Sequence, residues 1–352
     1  MVEGGFVGQS SFTVNSQRVI YSAAQDNASI AELYSVPVAG GASTKLNVAV
    51  ASGESVSDFW YRNGKAGTRI NYFVYRSSSS ELYSVPIDGG DSSRLDAVTG
   101  NFVGATWSTD DGNVTMYAIQ SGNLGNGDAS YSLHARAINA STSITLSSPS
   151  ETEGVNTGFA YVLKVSQDGN QVYFVLSTAN GSFVYRVPIA GGTNVKVAGP
   201  LPPTSITMTE DDSYIVYGKS TFGFNVPAQL FAVDVATGQT ATLDEVTVNN
   251  YFDWRLTPDQ KAVVYYGKKG SEREKLYYVP LSGGTPTVLN VDYGEMDPQL
   301  MPLNTNPARF GSQVCVVYGF IFGPGTYRSL HSSCFEGDFP AGQNVFLPLI
   351  AR

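Results

Sequence analysis

The chain is poor in charge, in histidine and in cysteine, and it has no long apolar run. Charged residues make up 14% of its 352 residues, where soluble domains average about 25%. The balance is acidic, with 21 Lys and Arg against 30 Asp and Glu and a net charge of −9. Basic residues are scattered, with no run beyond Lys268-Lys269. A groove that tracks phosphates needs concentrated positive charge, so nucleic acid is not an expected partner. No stretch reaches the roughly 18 apolar residues of a membrane-spanning helix, and no transmembrane segment is expected. No segment sustains an apolar 3.6-residue period between capping signals, which predicts little helix. The motifs H-E-x-x-H, Cys-x-x-Cys, the phosphate loop and the D-x-[DN]-x-[DN]-G calcium loop are all missing.

What the chain has is repetition. ELYSVPVAGG at 32–41 returns as ELYSVPIDGG at 81–90, then as FVYRVPIAGG at 183–192, QLFAVDVATG at 229–238 and KLYYVPLSGG at 275–284. Weaker copies are SLHARA at 132–137 and SLHSSC at 329–334. Pro37, Pro86, Ala137, Pro188, Asp234, Pro280 and Cys334 mark one position, at steps of 49, 51, 51, 46, 46 and 54 residues. A period in this range is the signature of propeller blades.

Each unit has one internal order. A turn signal such as TDDGN at 109, SQDGN at 166, TEDDS at 209 or TPDQK at 257 precedes a run rich in Val, Ile, Tyr and Phe. Asp bonding its own backbone explains the turn, and a pleated surface buried on both faces explains the run. The VPxxGG piece then ends pairing with proline and turns the chain with glycine. TKLN, SRLD, VKVA, ATLD and TVLN follow as short outer strands. Four strands of about 48 residues cannot bury both faces alone, whereas units packed radially can. The expected fold is all-β: a single seven-bladed β-propeller over 1–352, with blades near 1–50, 51–98, 99–148, 149–199, 200–245, 246–291 and 292–352. Six blades with a C-terminal appendage is the alternative.

An [S/T]-x-D-G turn, an apolar strand and L-[YF]-x-V-[PD]-x-x-[GT]-G in succession resemble the propeller repeat of TolB-type periplasmic proteins and the propeller domain of dipeptidyl peptidases. The resemblance covers about residues 6–350. It implies the fold and leaves function open, because this repeat serves many roles. Two departures from those families are expected: no TolB-like N-terminal domain, since repeats start almost at Met1, and no following hydrolase domain, since no G-x-S-x-G nucleophile elbow occurs in the sequence.

Both cysteines fall in the last unit. If Pro324 and Gly325 are the turn residues of its hairpin, paired positions sum to 649, and Cys315 and Cys334 stand opposite one another. Facing Cα atoms are then close enough for a disulfide. Two buried thiols in a cytosolic protein is the alternative. A disulfide is the expectation, and with it a secreted, periplasmic or cell-surface location.

Chemistry is thinly signalled. His134 and His331 occupy the slot held elsewhere by Tyr34, Tyr83, Tyr185, Phe231 and Tyr277, which predicts packing. Asp110, Asp111 and Asp168 are expected turn formers. Binding residues concentrate on loops held by a rigid scaffold, and the repeat is broken by long loops expected at 120–130, 147–158, 219–228 and 268–274, the third carrying Phe222 and Phe224. Asp58 with Trp60, Asp253 with Trp254, and Glu295 with Asp297 lead into innermost strands and would share a channel mouth. Clustered carboxylates there would favour a cation or a basic group. Calcium at this mouth is the metal to test, and no other cofactor is expected. The reading is a non-catalytic extracytoplasmic propeller that binds a protein or small ligand, of unidentified kind, through its loop-rich face and channel mouth. The alternatives are a surface-assembly module and a metal-dependent lyase or hydrolase working at the central channel.

Overall fold

The computed structural model describes residues 7–13, 17–57, 68–99, 102–123, 129–147, 160–178, 181–201, 205–221, 223–250, 252–272, 274–289, 298–301, 308–310, 313–322 and 327–336. Their regular structure is all strand, arranged as seven antiparallel sheets of four strands. Six sheets run in simple meander order, each strand beside the next. Sheet one comprises Val7–Phe12, Arg18–Ala23, Glu32–Pro37 and Thr44–Lys45; sheet two, Ser55–Ser57, Arg69–Tyr75, Ser80–Pro86 and Ser93–Val98. Sheet three holds Phe102–Ser108, Val114–Asn123, Ala129–Ala137 and Ile144–Ser147; sheet four, Ala160–Val165, Gln171–Thr178, Gly181–Pro188 and Val195–Leu201. Sheet five holds Ile206–Met208, Tyr214–Ser220, Gly223–Asp234 and Thr240–Asn250; sheet six, Trp254–Leu256, Ala262–Gly267, Lys275–Pro280 and Thr287–Val288. Sheet seven differs: Pro298–Met301 and Ala308–Phe310 both pair with Gln313–Phe322, which pairs in turn with Tyr327–Glu336. The run at 344–350, expected as its outer strand, lies outside the described residues.

The repeated turns have the physical basis their composition implies. In the third-to-fourth connection the amides of Gly40, Gly89, Gly191 and Gly283 donate to the carbonyls of Pro37, Pro86, Pro188 and Pro280 at 2.9–3.0 Å. The glycine pair then runs through positive φ, 89° and 128° at Gly40 and Gly41, a backbone that a side chain would strain. In the first-to-second connection a hydroxyl closes the loop. Thr109 Oγ1 donates to Asp111 Oδ1 at 2.5 Å and accepts from the Val114 amide at 3.1 Å; Ser166 with Asp168 and Thr257 with Asp259 repeat the device. Asp111 and Asp168 are turn formers, as expected.

The chain divides into two compact units, Met1–Leu201 and Pro202–Arg352. Within the first, Ile20, Leu33 and Leu46 pack on Val56, Ile70 and Tyr72; Phe73, Leu82 and Leu95 on Tyr117; and Met116, Leu133 and Leu146 on Phe174 and Tyr185. Within the second, Val216, Leu230, Val246 and Val248 pack on Trp254, Val263, Tyr265 and Tyr277. Each buried large side chain contributes on the order of 1.5–3 kcal/mol, so the cores among sheets one to four, and that between sheets five and six, hold those repeats together.

Candidate functional site

Most groups that look reactive in the sequence are committed to the scaffold. The second and third strands of six sheets carry a facing ring pair: Tyr21–Tyr34, Tyr72–Tyr83, Tyr117–His134, Phe174–Tyr185, Tyr217–Phe231 and Tyr265–Tyr277, stacked at 4.9–5.8 Å between centroids. In sheet seven the register sets Tyr318 opposite His331. His134 therefore fills an aromatic slot, as its position in the repeat predicts. Burial holds its imidazole below the usual histidine value, while Asp96 pulls the other way. Ser132 Oγ lies 2.7 Å from His134 Nε2, but this pair is the local counterpart of a carboxylate–tyrosine contact found elsewhere. Tyr34 donates to Glu32 at 3.2 Å and Tyr83 to Glu81 at 3.0 Å, again two residues apart on one strand. This explains the repeated glutamate of ELYSVP. Glu81 also accepts from Arg76 at 2.5 Å and Arg94 at 3.2 Å, and Arg76 reaches Glu54 at 2.7 Å, so its buried carboxylate is held low by these partners against its own desolvation. Among the described residues no three His, Cys, Asp or Glu side chains stand close enough to share a metal ion.

The residues singled out for a channel mouth meet different fates. Asp58, Trp60, Glu295 and Asp297 lie outside the described residues. The described first strand of sheet two is Ser55–Ser57. Asp253 precedes the first strand of sheet six and is bound by Arg255 at 2.5 Å, so its charge is met from within the chain. Trp254 is only 6% exposed; its ring lies in the core between sheets five and six, against Gly218. It serves packing first, because a large ring gains most where it is fully desolvated.

Of the segment 219–228, expected as a loop, Lys219, Ser220 and residues 223–228 are strand: Tyr214–Ser220 and Gly223–Asp234 pair continuously down to Ser220 opposite Ala228. The third and fourth strands of this sheet run to 12 and 11 residues, and the fourth reaches across to sheet six, where Thr247 and Lys268 exchange amide bonds of 2.8 Å. Glycine, asparagine and proline in this segment favour a loop, and pairing of Gly223–Asp234 with Thr240–Asn250 overrides that preference. Phe222 lies outside the described residues. Phe224 is 76% exposed at the end of this hairpin, next to Asn225, whose side-chain oxygen accepts from Lys268.

A groove of about 440 Å³ opens between the first strands of sheets five and six. Ser205, Ile206, Thr207 and Met208 form one wall with Glu210, and Trp254, Arg255, Leu256 and Gln260 the other. The composition of TSITM gave no signal of this; the only cue was the Trp254-Arg255 pair beside Asp253.

No protein-family model matches the chain, and no curated protein matches its sequence. Solved structures do resemble it. Dipeptidyl peptidase 4 from Porphyromonas gingivalis superposes with a TM-score of 0.60 at 11% identity, over 97% of this chain and 53% of that protein. The fold is a β-propeller. A prolyl endopeptidase matches with a TM-score of 0.51 at 12% identity over 94% of this chain and 48% of its own. TolB from Acinetobacter baumannii matches over 76% of this chain and 62% of its own, at 15% identity and a TM-score of 0.41. The chain thus spans about half the length of the two peptidases, and the likeness extends to the propeller fold alone.

Proposed function

We propose that this propeller is a non-catalytic binding module that acts outside the cytoplasm and holds a protein or small ligand through the exposed end of the fifth-sheet hairpin and the groove between the first strands of sheets five and six. The observation that carries the reading is Phe224, an aromatic ring 76% exposed on a hairpin braced by Asn225 and Lys268. A large ring held in water on a fixed strand forgoes burial in its own core, and rigid aromatic anchors of this kind dominate binding surfaces. The reactive side chains among the described residues are, by contrast, largely spent on turns and ring pairs. Site-specific cross-linking tests the proposal: a photoreactive phenylalanine analogue at position 224, in the native host, is expected to trap one discrete partner. Absence of any adduct, together with turnover of peptide or oligosaccharide substrates by the purified chain, would overturn it.

The extracytoplasmic part of the proposal rests on the last hairpin. Its backbone pairs Cys315 with Cys334, the register expected from the turn. A disulfide there would close a loop of about 20 residues and contribute about 3 kcal/mol in the chain-entropy model. Intact mass after alkylation without reductant is expected to show no modified cysteine; two alkylated thiols in protein from its native compartment would refute the bridge.

A further inference from the structure

We infer that the groove between Ile206–Met208 and Trp254–Leu256 receives an extended segment of a partner protein, added as a strand to the free edge of Ile206–Met208. This rests on the binding reading above and names the form of the partner. Among the described residues both strands are the outermost of their sheets, paired on one side only. The direction of their backbone groups follows from the register. The Gly218 amide donates to the Ser205 carbonyl, which makes Ser205 and Gly218 a bonded pair. Bonded and non-bonded pairs alternate in an antiparallel ladder. Thr207, opposite Val216, is then the next bonded position, and Ile206 and Met208, opposite Tyr217 and Ile215, turn their N–H and C=O outward. On the facing wall the Thr257 amide donates to Ala262, so Trp254 and Leu256 also turn their backbone groups outward. Ile206 and Met208 thus turn a row of peptide groups into the groove, faced by a wall on which the Trp254 carbonyl accepts from Arg255 at 2.8 Å. The chemistry that satisfies such a row is another peptide backbone in extended form. The sheet-five edge is the better template, because the facing wall already bonds its own backbone, Arg255 donating to the Trp254 carbonyl and Gln260 to that of Thr257, while the Trp254 ring is fixed in the core.

The register also supplies a clean test. Ile206→Pro removes only an outward N–H, and proline is tolerated at such edge positions, so folding is retained; Thr207→Pro removes a ladder donor and serves as the destabilised control. The probe is a displayed library of random eight-residue peptides selected on the full chain. Selected peptides are expected to lose affinity about tenfold or more against Ile206→Pro with an unchanged unfolding midpoint, and to lose it on N-methylation at every second residue but not between. The N-methyl scan needs no protein variant and stands if the substitution disturbs folding. Failure to select a peptide, or a scan without the two-residue period, overturns the inference. So does a concentration-dependent dimer abolished by Ile206→Pro, which would make the occupant a second copy of this chain. If cross-linking from position 224 still captures a partner while Ile206→Pro changes nothing, the groove assignment falls and the binding reading survives.

Discussion

At the scale of single residues, the hydroxyls of the first-to-second turns show how little separates a decorative polar group from a structural one. Thr257 is 1% exposed, and its Oγ1 accepts from the Ala262 amide at 3.1 Å while donating to Asp259 at 2.6 Å. Thr257→Val keeps the shape and strands a buried N–H, so it should cost about 1–3 kcal/mol, read as a lower urea midpoint. His134 makes a complementary case. Its folded-state value lies below the ordinary one because the ring is buried, so the unfolded chain takes up the proton first as pH falls. Its contribution is therefore present above about pH 6.5 and is lost as pH falls through that value toward the lower folded one. His134→Phe keeps the stack on Tyr117 and removes the proton. The urea midpoint of the native chain should drop between pH 7 and 5 while that of the variant changes less; parallel curves would contradict the assignment.

At the scale of elements, sheets five and six meet through two glycines of their second strands, Gly218 within Tyr214–Ser220 and Gly267 at the end of Ala262–Gly267. A Cβ on Gly218 would lie 2.6 Å from Trp254 Nε1, and one on Gly267 would lie 2.5 Å from Val246 Cγ2. The residue that approaches differs, but the need for a missing side chain is the same. Gly267→Ala should destabilise by about 1–3 kcal/mol through overpacking, and adding Val246→Ala should recover part of the loss, as expected for neighbours that share one space. Denaturant midpoints of the four proteins in this cycle decide it; additive losses would show that the clash is not the cause. These contacts also mark where reading the sequence stopped. The Val-Tyr-Gly and Tyr-Tyr-Gly strand segments are plain in the sequence, yet nothing in them says which partner comes close. The 219–228 hairpin was misread because its glycine, proline and asparagine suggest a loop, whereas pairing with Thr240–Asn250 over nine positions overrides local preference.

At the scale of the whole molecule, the period of the repeat carried the fold: the spacing of Pro37, Pro86, Pro188 and Pro280 reports turns, and turns report four-stranded sheets. The site was far less legible, since it depends on which edges face one groove, a relation between strands about 50 residues apart that composition does not record. The same period places a tyrosine-rich layer in sheet after sheet, and this gives the molecule a predictable alkaline limit. Burial raises Tyr266, Tyr277 and Tyr278 to about 12, with Asp253, Glu272 and Asp259 respectively adding to the effect. Tyr34, Tyr117 and Tyr265 are raised further by burial together with Glu32, Asp96 and Asp244. A phenol whose folded value exceeds its unfolded value of about 10 keeps its proton in the native chain after the unfolded chain has lost it. Its contribution is complete below pH 10 and declines as pH rises through the folded value. Stability should therefore fall steadily from about pH 10 to 12, with tyrosinate absorbance appearing together with loss of the β-sheet circular dichroism rather than before it. Tyr265→Phe keeps the ring pair with Tyr277 and should weaken the alkaline limb, at the cost of leaving Asp244 to Lys269 alone. Titration of all 21 tyrosines near pH 10 in a still-folded chain would show that the layer is open to water, and the account of the buried ring pairs would fail with it.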